Sequence, residues 1–115
     1  MSGIEDALDL AAQLDDVLAS EGLRYTTFTV HAHAFGYLWR PTRTVGLKQE
    51  LAEQLALVAE RPEVFEVQFT SGRFGWVVVH LEGVDRAELA ELVFEAWRLT
   101  APAELVERRG DRLPR

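Results

Sequence analysis

The sequence predicts a small two-layer α+β domain: an antiparallel sheet of about five strands, a common sheet size, with helices gathered on one side. The order read is α-βββ-α-ββ-α(α). Three observations carry this reading. Three stretches repeat apolar residues at helical spacing, which gives each a single buried stripe. Between them lie short runs rich in β-branched and aromatic residues, bounded by turn formers. At 115 residues, 48% hydrophobic and 27% charged, the chain is sized for one core. No repeat or low-complexity segment divides it, so residues 1–115 read as one domain with a short basic tail at 107–115.

The first helix is "SGIEDALDLAAQLDDVLASEG", residues 2–22. Ile4, Leu8, Ala11, Leu14 and Leu18 fall on one stripe, Ser2 and Glu5 have capping-box spacing, and Gly22 is placed to end it. "RYTTFTV" and "HAFGYLW" read as strands, "RPTR" as a turn with Pro41 at its first central position, and "TVGLK" as a third strand. Residues 24–48 are therefore a three-stranded meander. "QELAEQLALVAERPE" is the second helix, with Leu51, Leu55 and Val58 on its inner face and Pro62 closing it. "VFEVQF" alternates as a half-buried strand and "TSGR" turns it. "FGWVVVHL" is apolar on both faces, as a central strand is. "GVDRAELAELVFEAWRLTAP" is the third helix, with Asp85 and Glu88 at capping-box spacing, and Pro102 either stops it or opens a short last helix before Gly110.

Composition removes several functions. There is no cysteine, hence no disulfide, thiolate nucleophile or cysteine metal site. The acidic start "MSGIEDALDL" is not a signal peptide, and no apolar run approaches the roughly 20 residues needed to span a bilayer. The expectation is a cytoplasmic protein with no membrane contact. Phosphate-binding, dinucleotide-binding, zinc-protease and serine-elbow motifs are absent, so no catalytic residue and no cofactor is assigned. "TSGR" offers an anion-binding turn at Arg73, but a tight hairpin turn with Gly72 at positive φ is the simpler role.

The net charge of −7 argues against a nucleic-acid partner. Its distribution is less simple. Residues 1–22 hold six acids and no base, whereas residues 23–49 hold Arg24, Arg40, Arg43 and Lys48 and no acid. Trp39 stands beside Arg40, Pro41 and Arg43, where it suits stacking on a base or on a partner protein. Trp76 and Trp97 fit core positions in a strand and a helix.

Gly75–Trp76, Asp85, Trp97, Arg98–Leu99, Ala101–Pro102 and Leu105 form an ordered set that resembles the C-terminal half of the MmcQ/YjbR family. "FTVHAHAFGYL", "VGLK" and "LALVAERPEVF" resemble its middle, so the likeness covers roughly residues 25–106. The family's pattern before the first strand is "RYTT" here, its Gly-Gly turn is His31–Ala32, and its lysine is His33. The resemblance implies that His31–Ala32 is a hairpin turn, which removes the one-face spacing that could let His31 and His33 share a metal. Only His80 remains as a third histidine, and no metal is expected. The resemblance also implies a non-catalytic protein that binds DNA through two protruding hairpin wings. The contacts would fall to Arg24, Trp39, Arg40, Arg43 and Lys48; four phosphate contacts give a salt slope of only about −3.6, hence weak binding. The alternative is a protein-interaction or dimerising module that uses the same exposed hairpins.

Overall fold

The computed structural model describes residues 1–71 and 74–115, with side chains for all of these except 69, 70, 71 and 74. Gly72 and Arg73 of the expected "TSGR" turn lie outside the described residues. The chain runs α1 (Ile4–Ala12), β1 (Val17–Glu21), β2 (Tyr25–Val30), β3 (His33–Trp39), β4 (Thr44–Glu50), α2 (Leu51–Glu60), β5 (Phe65–Ser71), β6 (Phe74–His80), a single 3-10 turn (Leu81–Gly83), α3 (Arg86–Arg98) and α4 (Ala103–Arg109). The strands form one six-stranded sheet in the order β1-β2-β3-β4-β6-β5, and every neighbouring pair is antiparallel.

The expected order holds with one addition. The long first helix stops at Ala12, and its second half becomes β1, which pairs with β2 from Val17↔Val30 to Glu21↔Thr26. Helical periodicity through Leu14 and Leu18 lost to contacts from the far end of the chain. The Trp97 indole N–H donates to Asp15 O at 3.0 Å. Arg109 Nη1 donates to Gln13 O at 3.2 Å and to Asp15 Oδ1 at 2.7 Å. These donors satisfy Gln13 O, at the helix end, and the Asp15 acceptors just beyond it. Asp16 then takes φ 59°, a left-handed conformation that short polar residues tolerate, and the chain turns into the sheet. Leu14 stays buried, but Leu18 is 69% exposed. Gly22 ends no helix; its N–H donates to Tyr25 O at 2.8 Å in the β1–β2 turn. The first cap also shifts by one residue. Ser2 is buried and its Oγ donates to Val84 O, while Gly3 N–H donates to Asp6 Oδ2 at 2.8 Å.

The remaining turns follow the sequence. His31 and Ala32 both have positive φ, 47° and 69°, which a two-residue hairpin of the primed kind requires. Arg40–Arg43 closes the next hairpin, with Arg43 N–H donating to Arg40 O. Asp85 Oδ1 caps α3 by accepting from Glu88 N at 2.8 Å. Pro102 starts α4, and Gly110 ends it at φ 68°.

All four helices pack on one face of the sheet. Leu10, Leu89, Val93, Trp97 and Leu105 join Phe28, Leu38, Leu47 and Val77 in a single core. A bulge between Phe28 and Thr29 adds Phe35 to it, stacked 6.1 Å from Phe28. The second helix packs least well. Leu55, expected on its inner face, is 56% exposed, and the fully buried side chain there is Gln54. At the rim, Arg86 pairs with Asp6 and Asp9 of α1. The Gly3 N–H first, and then Arg86, hold the Asp6 carboxyl below the usual carboxylate range.

Candidate functional site

Alternation along the strands sorts the side chains onto two faces. In β2, Thr26, Phe28 and Val30 are buried under the helices, and Tyr25, Thr27 and Thr29 point the other way. In β3, Tyr37 and Trp39 share that outer face. Among the described residues no helix lies over it.

Four rings cross this open face in a row. Tyr25 stands 4.7 Å from Trp39 and 5.7 Å from Tyr37, and Tyr37 stands 5.2 Å from Trp76. These separations are typical of interacting aromatic pairs. On the intervening strand β4, Gly46 lies opposite Tyr37 on one side and Val78 on the other. A Cβ at that position would stand 3.0 Å from Gln68 Oε1. Trp39, Tyr37 and Trp76 are half-buried and Tyr25 is exposed. Trp76 is therefore a correction: it belongs to the open face, not to the core. Trp97 is fully buried, as expected.

The five residues singled out in the sequence divide here. Trp39 joins the aromatic row. Lys48 lies on the same face, half-buried, directly opposite Trp76 in the register. Arg24 is exposed in the β1–β2 turn. Arg40 and Arg43 leave one turn in opposite directions. Arg40 donates to Glu21 Oε1 and to Thr26 Oγ1, both at 2.8 Å. Arg43 faces Glu82 at 3.8 Å, beyond β6. So they form no common ridge with Trp39, and each charge is partly offset. Sequence reasoning passed over Tyr25 and Tyr37. The signal was present in the i, i+2 spacing of Tyr37 and Trp39 and in Tyr25 standing out of phase with Phe28 and Val30.

The surface can pack or stack flat groups. His31 sits on the β2–β3 turn beside Asp16 at 2.8 Å, while His80 sits at the opposite end of the sheet and bonds Glu66. Among the described residues no three histidine, aspartate or glutamate side chains gather as a metal would require, and no helix is long and apolar enough to cross a membrane.

Comparison with known proteins agrees with this architecture. A family model described as YjbR matches residues 13–99. No curated protein matches the chain. A crystal structure of Deinococcus radiodurans protein DR2400, described by the domain name DUF419, is similar at 18% identity. The likeness covers 86% of this chain and 78% of that one, with a TM-score of 0.75.

Proposed function

The chain belongs to the YjbR family, and from that premise we propose that it is a non-catalytic protein-interaction module that works through the open face of its sheet. One observation carries the reading: the row Trp39–Tyr25–Tyr37–Trp76 keeps aromatic surface in water on a face that the helices leave uncovered. Aromatic anchors of this kind dominate protein interfaces, because they bury much area at little entropic cost. The cations around the row are few and partly offset, which suits a protein surface better than a phosphate backbone. The proposed setting is cytoplasmic, in keeping with a cysteine-free chain.

DNA is the second reading, and a specific observation favours it. The carboxylates of α1, α2 and α3 lie in the helical layer, so Arg24, Lys48 and the aromatic row form the least acidic part of the molecule. Stacked bases on the rings with a few phosphate contacts would give weak, salt-sensitive, single-strand binding.

One experiment separates the two. A photocrosslinking amino acid replaces Tyr37, and in a control Glu107 on α4, in cells of the source organism. The expected result is a discrete, nuclease-resistant protein adduct from position 37 alone, lost when Trp39 and Trp76 are both changed to serine. A nuclease-sensitive adduct moves the assignment to DNA. Equal labelling from both positions, or none from position 37, overturns the open face as the working surface.

A further inference from the structure

The sheet has two edges, and they are guarded differently. The β5 edge is interrupted by a bulge between Val67 and Phe69, a common device against pairing with other chains. The β1 edge has no such break: Val17–Glu21 keeps one register along β2, with no proline and no lysine. No other strand borders its outer side among the described residues. Leu18, Ala19, Ser20 and Glu21 are all exposed.

The backbone phase of β1 is fixed from both ends. Gly22 N–H donates to Tyr25 O, so these two residues stand at a hydrogen-bonded position of the β1–β2 ladder. At the other end Val30 closes the two-residue turn opposite His33, so its N–H and C=O face β3 rather than Val17. Alternation between these points gives the backbone of Leu18 and Ser20 to β2 and turns the N–H and C=O of Val17, Ala19 and Glu21 outward. Such a row of donors and acceptors is complemented by another strand.

The sequence of β1 fits a second copy of itself. Laid antiparallel about a two-fold axis at Ala19, the strand pairs Ala19 with Ala19 of the second copy and Val17 with Glu21. All three outward residues are then used, a small side chain sits at the axis, and the two Glu21 carboxylates lie at opposite ends. An axis at Glu21 would set those carboxylates against each other, and an axis at Val17 would leave Ala19 and Glu21 without partners. Leu18 lies opposite Thr29 of β2, on the open-face side, and keeps 69% of its surface in water. In the paired register it stands opposite Ser20 and diagonal to the other Leu18, within reach of a long side chain. Beyond the strand, the turn that carries Arg24 comes level with Asp16 of the second copy, and both residues are exposed.

We propose that β1 pairs antiparallel with β1 of a second copy of this chain, centred on Ala19, so that the two sheets run on as one. The contact is independent of the aromatic row, which lies on a face of the sheet and not on this edge.

The test is sedimentation equilibrium of the full chain across a concentration series, with far-ultraviolet spectra to check folding. A reversible monomer–dimer equilibrium is expected at high-micromolar concentration, because paired edges bury less than a standard interface. Ala19→Pro removes an outward N–H and no bond to β2. It should weaken the dimer about tenfold or more, the scale of two backbone hydrogen bonds. Leu18→Lys changes an exposed side chain, so it keeps the test decisive if the proline variant fails to fold. It sets two like charges on a diagonal and should weaken the dimer about fivefold. The chain has no cysteine, so Ala19→Cys with a short thiol-reactive crosslinker reads the register. That variant should give covalent dimer, whereas Leu23→Cys, at a fully exposed position far from the axis, should not. A chain that stays monomeric to millimolar concentration overturns the proposal. So does a dimer that both variants leave intact, one lost only with Trp39→Ser/Trp76→Ser, or equal crosslinking from positions 19 and 23.

Discussion

On the covered face of the sheet, Trp97 is fully buried, its ring beside Phe94 and its indole N–H bonded to Asp15 O. On the open face, Trp39 and Trp76 lean on Tyr25 and Tyr37 and keep part of their surface in water. The side chains are chemically the same, yet their partners differ in kind. Trp97 is held by three elements at once: α3, the end of α1, and the stem of Arg109, whose guanidinium lies 6.0 Å over the ring. The open-face rings are held mainly by cross-strand neighbours. Removing the first should loosen the fold; removing the second should mostly strip a surface. The contrast separates residues that the fold needs from residues that it merely carries.

The sharpest way to break that comparison is a pair of single substitutions. Trp97→Ala should lower stability by about 3–5 kcal/mol, the range for a core aromatic that leaves a cavity. It also orphans Asp15 O. Trp39→Ala should cost only about 1 kcal/mol, since the ring is half-solvated and its loss opens no cavity. Chemical denaturation of both variants checks this. Equal losses would mean that the open-face row is part of the core.

The next effect concerns the place where sequence and structure disagree most. The covered face was legible because amphipathic helices announce themselves by period, and the stripes of α3 and the cap at Asp85 lie where the spacing puts them. The order of the later strands and both meander turns were legible for the same local reasons. The end of α1 was not. Gln13–Asp16 leave the helix because Trp97 and Arg109 satisfy Gln13 O and the Asp15 groups from across the fold, and nothing local encodes that. The open-face row was half legible: alternation shows which residues share a face but not which face the helices cover, so Trp76 reads as core from sequence. Arg109→Met keeps the carbon stem and removes the three donors to Gln13 O, Asp15 Oδ1 and Arg112 O. It leaves Asp15, a partly buried carboxylate, without its partner, so a loss of about 2–3 kcal/mol is expected. If the α1 end is held by Trp97 alone, the loss will be below about 1 kcal/mol.

The covered face has a flaw on α2, and it predicts a gain. Gln54 is fully buried on α2, and neither its Oε1 nor its Nε2 has a partner among the described residues. Gln54→Met keeps the length of the side chain and removes both polar atoms, so stability should rise by about 1–2 kcal/mol. A raised melting temperature with an unchanged far-ultraviolet spectrum is the expected outcome. A fall would mean that the amide has an internal water for a partner, and that the covered face is wetter than its apolar core suggests.

The smallest expected effect is electrostatic and sets two edges of the molecule apart. Asp6, at the rim of the covered face, has its carboxyl held low, first by the Gly3 N–H and then by Arg86. A folded value below the unfolded one, about 3.9 for aspartate, means that the native state favours the ionised form. The stabilisation is complete above the unfolded value and is lost as pH falls through the lowered folded value. Asp6→Asn should therefore narrow the stability difference between about pH 6 and about pH 2.5 relative to the unmodified chain. Arg86→Gln should narrow it less, because the Gly3 donor remains. At the β1 edge of the sheet, the Arg40–Glu21 pair is exposed at both ends, and such pairs contribute about 0–1 kcal/mol. Glu21→Gln should thus leave the denaturation midpoint at neutral pH nearly unchanged while freeing Arg40. If Glu21→Gln lowers that midpoint as much as Asp6→Asn does, Arg40 is a strut between β1 and β3, and that edge is tied as firmly as the rim where Arg86 meets α1.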